Sequence, residues 1–155
     1  MDDSGTDQFV FEPRKMSSLE SLSISTVSCG ENFTIVSCEG GLEVYSCGDG
    51  SDGKLGHPDV VHETFPMFRR IRALDDDKRP KSDGSIIKLV SGKNFSLAVT
   101  QNGSVYSFGS GQFGHLGHQE HKDRKCPKKV SALRQMEIDV DLGMCLFLLW
   151  FTQTC

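Results

Sequence analysis

Val27 to His57, VSCGENFTIVSCEGGLEVYSCGDGSDGKLGH, is written a second time from Leu89 to His118 as LVSGKNFSLAVTQNGSVYSFGSGQFGHLGH. Gly30, Asn32 and Phe33 fall on Gly92, Asn94 and Phe95. After one inserted residue near Gly41, Val44-Tyr45-Ser46 falls on Val105-Tyr106-Ser107. The glycines keep step, Gly48, Gly50, Gly53 and Gly56 with Gly109, Gly111, Gly114 and Gly117, and His57 lands on His118. Outward from this pair the period continues. An apolar segment precedes each copy, Ile24 to Cys29 and Ile86 to Ser91. A basic pair, a β-branched residue and Ala-Leu follow each, in Arg69-Arg70-Ile71-Arg72-Ala73-Leu74 and Lys128-Lys129-Val130-Ser131-Ala132-Leu133. A third unit starts at Ile138-Asp139-Val140-Asp141-Leu142-Gly143 and then leaves the pattern.

Within each copy the reading is strand, turn, strand. Phe95, Leu97 and Val99 alternate with Ser96, Ala98 and Thr100, the period of two expected of a strand with one buried face. Asn102-Gly103 accepts positive φ at both central positions of a tight turn and so predicts a type I′ hairpin, with Glu39-Gly40-Gly41 as its longer equivalent. Several short strands per repeat, closed by glycine turns and free of amphipathic helix, predict an all-β chain in which each repeat is one propeller blade. Four segments follow: an acidic tail at 1–21, a first repeat at 22–85 with a polar insertion loop at 58–85, a second repeat at 86–134, and at 135–155 the start of a third with an apolar tail. The charge run Asp75-Asp76-Asp77-Lys78-Arg79-Pro80-Lys81 marks the insertion as solvated.

The hallmark Gly, strand, Gly turn, strand, Gly-rich hairpin ending in Leu-Gly-His, at Gly30 to His57 and Gly92 to His118, resembles the regulator-of-chromosome-condensation repeat. That resemblance implies blades of a seven-bladed β-propeller, here a partial set too short to close the ring. Such units cannot bury their hydrophobic faces without neighbours, so the chain is expected to be a fragment, a truncated product, or a piece completed by further repeats or by association. Phe33 and Phe95 stand where many repeats of the family carry His, replacing a polar group by packing surface. The only tryptophan, Trp150, lies outside the repeats. The tryptophan clusters used for light reception in one branch of the family therefore have no counterpart.

GSGQFGHLGHQEH, Gly109 to His121, looks at first like an active site. Both Gly48 to Gly53 and Gly109 to Gly114 satisfy G-x-G-x-x-G, but a dinucleotide site needs that motif to open a helix whose N-terminus meets the pyrophosphate. Here another glycine and polar loop follow, and turns that use glycine's positive φ account for Gly30, Gly48, Gly50, Gly53, Gly56, Gly92, Gly109, Gly111, Gly114 and Gly117 as repeat-defining structural positions. His115, His118 and His121 would share a face only on a helix, which Gly114 and Gly117 oppose. Asp49-Gly50-Ser51-Asp52 begins like a calcium loop, yet Val60 stands where the bidentate acid belongs. No nucleophile is placed beside a base in a recognised local order. The chain is read as no enzyme, with no cofactor and no metal; a metal- or nucleotide-binding enzyme is the remote alternative.

Composition names no partner by itself. A net charge of −4, with 25% charged and 37% hydrophobic residues, describes neither a polycation nor a disordered chain. The acidic start lacks the features of a secretory signal, and Met144 to Phe151 is far short of the ~20 residues that span a bilayer. A cytoplasmic or nuclear protein without membrane attachment is expected. The six cysteines, without a C-x-x-C pair, read as small buried thiols.

The functional reading is a non-catalytic protein-interaction module. Lys122, Arg124, Lys125, Lys128 and Lys129 are its candidate partner surface, with no interleaved aromatics to stack nucleic-acid bases. The family resemblance implies, as the alternative, a guanine-nucleotide exchange factor for a small GTPase such as Ran.

Overall fold

The computed structural model of the chain describes residue 13 and residues 15–59 and 63–133. The expected third repeat and apolar tail lie outside the described residues, as does most of the acidic segment. Among the described residues eight strands form two sheets. The first runs β1 (Ile24–Cys29), β2 (Phe33–Cys38), β3 (Glu43–Asp49), β4 (Thr64–Arg70). The second runs β5 (Ile86–Ser91), β6 (Phe95–Thr100), β7 (Val105–Gly109), β8 (Arg124–Lys129). Neighbouring strands are antiparallel throughout. Each sheet is thus a four-stranded blade, and the two blades form no closed ring. Helical structure among the described residues consists of three-residue 3-10 turns, and no helix is long and apolar enough to cross a membrane.

The alternation read in β6 has a consequence on both faces. Leu97 and Val99 pack with Val105, Val130 and Leu133 on one side of the second blade. Ala98, Tyr106, Phe108, Ile86 and Leu89, on the other side, share a core with Phe33, Ile35, Val44, Leu55, Ile71 and Leu74 of the first blade. Burial of apolar side chains from both sheets in one layer is what holds the blades together.

Three expectations need correction. The stretch 58–85 is not one solvated loop, for β4 pairs with β3 through Tyr45↔Arg70, Ser46↔Arg69, Gly48↔Phe65 and Asp49↔Thr64. TFPMFRR shows no alternation, but the free edge of β3 offers backbone groups that must be paired. Beyond it Ile71 and Leu74 are fully buried, and even Asp75, Arg79 and Asp83 are almost inaccessible. These charges are buried because each is matched. Asp75 meets Arg70 at 2.8 Å. The Arg79 guanidinium donates to the carbonyls of Leu74 (2.9 Å), Gly84 and Gly41 (3.4 Å). Asp83 accepts from the Tyr106 hydroxyl at 2.6 Å and from Lys129 at 2.7 Å.

The second correction concerns Asn102-Gly103. Only Gly103 has positive φ. The hairpin is closed by the Gly103 N–H on the Thr100 carbonyl and the Thr100 N–H on the Ser104 carbonyl. It is a three-residue loop with a left-handed last residue, the next commonest solution after the two-residue turn. Third, of the cysteines among the described residues, Cys38 is buried but Cys29 and Cys126 are exposed, because they occupy edge strands β1 and β8.

Candidate functional site

The glycine hairpins end in the same hydrogen-bonded pair in both blades. Ser46 Oγ donates to the Leu55 carbonyl at 2.8 Å and lies 3.0 Å from His57 Nε2. Ser107 Oγ repeats this with the Leu116 carbonyl at 2.7 Å and His118 Nε2 at 2.9 Å. A carbonyl only accepts, so the hydroxyl proton goes there and the assignment that satisfies both contacts has the imidazole donating to the hydroxyl. That polarity is the reverse of a base activating a nucleophile. Ser46 and Ser107 are also fully buried. Burial, then the nearby Arg69 charge, pushes the His57 imidazole down to about 4; burial and Lys128 lower that of His118. The Leu-Gly-His ending therefore fastens the hairpin back onto β3 or β7.

Six amides of the G-x-G-x-x-G stretches are consumed locally. Asp49 N–H goes to the Asn32 carbonyl, Gly50 N–H to Glu63, and Gly53 N–H to Gly50. In the second blade Ser110 N–H goes to Asn94, Gly111 N–H to the Asp123 carboxylate and Gly114 N–H to Gly111. These amides are already engaged and do not converge on a phosphate. Positive φ explains Gly48, Gly53, Gly56, Gly109, Gly114 and Gly117. Gly30, Gly92 and Gly111 are needed for space instead: a Cβ there would lie 1.9 Å from the Phe33 ring, 2.1 Å from the Phe95 ring and 1.9 Å from the Lys122 carbonyl oxygen. At Gly50, φ is −92°.

The three histidines of Gly109 to His121 do not converge. His118 is the hairpin clasp. His115 packs on the Phe95 ring at 4.7 Å between centroids, and its buried Nε2 has no partner among the described residues. His121 Nδ1 lies 3.1 Å from the Gln112 carbonyl. Among the described residues no three His, Cys, Asp or Glu side chains gather as a metal site.

Lys54, the repeat counterpart of His115, is the polar group that sequence reasoning missed. Its side chain is 2% exposed, with Nζ 2.7 Å from Asp49 Oδ2, 2.9 Å from Ser51 Oγ and 3.3 Å from Asn94 Oδ1 of the second blade. Ser96 Oγ donates to the Lys54 carbonyl at 3.0 Å. Burial opposes ionisation of Asp49, but the hydrogen bonds from Lys54 and Ser51 outweigh it and hold the carboxyl at about 2. The only signal in the sequence is the change from Lys54 to His115 at one repeat position.

The basic set divides. Arg124 pairs with Glu120 at 2.8 Å, and Lys129 turns to the buried Asp83. Lys122, Lys125 and Lys128 remain exposed along β8 and the loop that leads into it.

A family model for the regulator of chromosome condensation (RCC1) repeat matches residues 43–99 and 102–143, more than half of the chain, and a second matches residues 86–114. The chain belongs to the RCC1 repeat family. The match at 43–99 runs from β3 to β6, so an RCC1 sequence repeat straddles two blades and ties each to the next. Among similar proteins, the ultraviolet-B receptor UVR8 of Arabidopsis thaliana is 33% identical over 126 residues, 81% of this chain and 27% of the receptor. Human E3 ubiquitin-protein ligase HERC2 is 33% identical over 121 residues, 77% of this chain and 2% of the ligase. Prp20p of Saccharomyces cerevisiae superposes with a TM-score of 0.58 at 20% identity, over 72% of this chain and 26% of Prp20p, a likeness of fold. The RCC1 chain thus spans about a quarter or less of these relatives.

Proposed function

We propose that these RCC1 blades act without catalysis, as a docking surface for a protein partner with an acidic face. The observation that carries this reading is the division of polar groups. Those with catalytic potential, the Ser-His pairs and Lys54, are committed to holding blades, with Ser46, His57, Ser107 and Lys54 buried and His118 half-buried. Lys125 and Lys128 stand exposed on an edge strand and Lys122 in the loop that leads into it, with no ion-pair partner among the described residues. Unpaired cations on an exposed edge both discourage strand addition and attract acidic surfaces. Prp20p, which shares the fold, has been studied for its binding to Gsp1p and histones, and that motivates the probes.

The test titrates the purified chain against a nucleotide-free small GTPase of the Ran type and against histones, and follows release of labelled GDP in parallel. Binding that weakens at least tenfold in the Lys122→Glu/Lys125→Glu/Lys128→Glu variant, without faster GDP release, supports docking. Faster release in proportion to the chain added favours the second reading, a guanine-nucleotide exchange factor. Binding indifferent to the triple variant removes the basic edge from the account.

A further inference from the structure

Four exposed cations without an ion-pair partner among the described residues gather at one place: Arg72, Lys122, Lys125 and Lys128. Exposed cations elsewhere on the blades are matched, Arg69 with Asp59 at 2.7 Å, Lys78 with Asp77 at 3.1 Å, Lys81 with Asp76 at 2.7 Å and Lys93 with Glu31 at 3.4 Å. Lys122, Lys125 and Lys128 belong to β8 and the loop that leads into it. Arg72 belongs to the first blade, where it opens the 3-10 turn Arg72–Leu74. That turn packs against β8.

β8 therefore lies along the boundary between the blades. A second turn of the first blade, Ser51–Gly53, meets it so closely that a Cβ on Gly53 would stand 2.5 Å from the Lys125 Cα. The exposure of this surface is that of an outermost strand. β4, the counterpart of β8, also ends its sheet, and in a blade whose following neighbour is present its Met67 is 53% and its Arg69 side chain 41% exposed. Arg72 is exposed although the residues that follow it, to Asp83, are folded in place.

The surface selects its ligand by charge. Lys125 and Lys128 are about 10 Å apart along an extended strand. Pro127, between them, has no N–H to donate to an added strand, so side chains and not a backbone ladder must hold the partner. The nearby acids Glu120 and Asp123 are engaged, on Arg124 and on the Gly111 N–H. Asp52, in the turn against β8, opposes an incoming acid.

We propose that the partner is an acidic chain segment lying across the blade boundary, its carboxylates meeting Lys122, Lys125 and Lys128 on the second blade and Arg72 on the first. The proposal rests on the docking reading and names the class of its ligand. Because cations of both blades take part, the segment recognises the docked pair of blades and not either blade alone.

Fluorescence anisotropy of a labelled oligoglutamate peptide, titrated with the full chain at low salt, tests this. Binding is expected, and it weakens as salt rises. Arg72→Gln weakens it about threefold, the size of one exposed ion pair, and Arg72→Lys retains it. Lys93→Gln, which removes the same charge in the β5–β6 turn, leaves it unchanged. Asp52→Asn strengthens it, asparagine being suited to the left-handed φ of +60° at that position. Equal losses in Arg72→Gln and Lys93→Gln, with β-sheet circular dichroism intact, would mean a response to net charge alone and overturn the proposal. So would a wild-type chain that does not bind the peptide. In either case GTPase or histone binding that still weakens in the triple lysine variant leaves docking on β8 standing, whereas its indifference removes both.

Discussion

Lys54 Nζ and Asn94 Oδ1 meet at 3.3 Å across the boundary between the two blades, with the Asp49 carboxylate 2.7 Å away on the same ammonium. One buried cation therefore serves the glycine hairpin of its own blade and the β5–β6 turn of the next. Its removal leaves the Asp49 carboxylate with only its Ser51 donors and takes the Lys54 donor from the Asn94 amide oxygen, and the loss exceeds what one exposed ion pair contributes.

Lys54→Met is accordingly expected to lower stability by about 2 kcal/mol at pH 7, measured by urea unfolding. The pH dependence carries a second signature. Asp49 is held at about 2 in the folded chain, against an ordinary value near ~3.9, so the stabilisation is complete above about pH 4 and is lost as the pH falls towards 2. Without Lys54, burial is unopposed by its main counterweight and this acid-side loss shrinks. An unchanged acid limb in Lys54→Met would show that Asp49 is held by other groups.

The histidine clasps set the next window. His57 is neutral in the folded state, lowered to about 4 by burial and then by Arg69. The unfolded chain takes up the proton below about 6.5. Between those limits the unfolded state binds more protons, so stability falls as the pH drops from about 6.5 to 4. His118 shifts in the same direction. Melting temperatures from pH 7.5 to 4.5 should decline, and His57→Gln should flatten the decline while lowering stability at pH 7.5.

Gly40→Ala and Gly48→Ala separate backbone conformation from space. Both glycines have positive φ, +65° and +108°. A Cβ at Gly40 meets nothing within 4 Å, whereas at Gly48 it would lie 2.4 Å from the Asn32 carbonyl oxygen. Gly40→Ala should cost about 1 kcal/mol. Gly48→Ala should cost more than about 3 kcal/mol, because it adds a backbone clash between β2 and β3 to the strain.

Arg79→Lys tests the buried guanidinium in the segment between the blades. One ammonium cannot reproduce the planar set of donors that reaches the Leu74, Gly84 and Gly41 carbonyls. A loss of about 2 kcal/mol is expected by thermal or urea unfolding. A neutral substitution would mean that the segment at 75–84 is held by its backbone alone.

How much of this was legible in the sequence follows from how local each signal is. The central strands announce themselves, because Phe95, Leu97 and Val99 alternate and the glycine turns recur in register. Edge strands β4 and β8 do not, for TFPMFRR and RKCPKK lack a period of two, and their pairing is decided by the neighbour they complete. The charge run Asp75 to Lys81 reads as solvated, and the partners that help bury Arg79 and the nearby Asp83 include ones far along the chain, at Gly41, Tyr106 and Lys129. The hairpin at Asn102-Gly103 was correctly a turn and incorrectly its type, since Gly103 alone takes positive φ. Leu-Gly-His was visible as a repeated ending, but its pairing with Ser46 or Ser107 required the register of the folded blade.

The central claim is that the two blades are consecutive and share one core. The chain contains two tyrosines, Tyr45 in the first blade and Tyr106 in the second. Replacing both with 3-fluorotyrosine therefore gives two fluorine signals, one reporting on each blade. Followed through urea unfolding, the signals should change together, with one midpoint and one slope, because neither blade can lose the shared layer of Ile35, Val44, Ile71, Ala98 and Phe108 alone. Two separate midpoints would contradict the shared core.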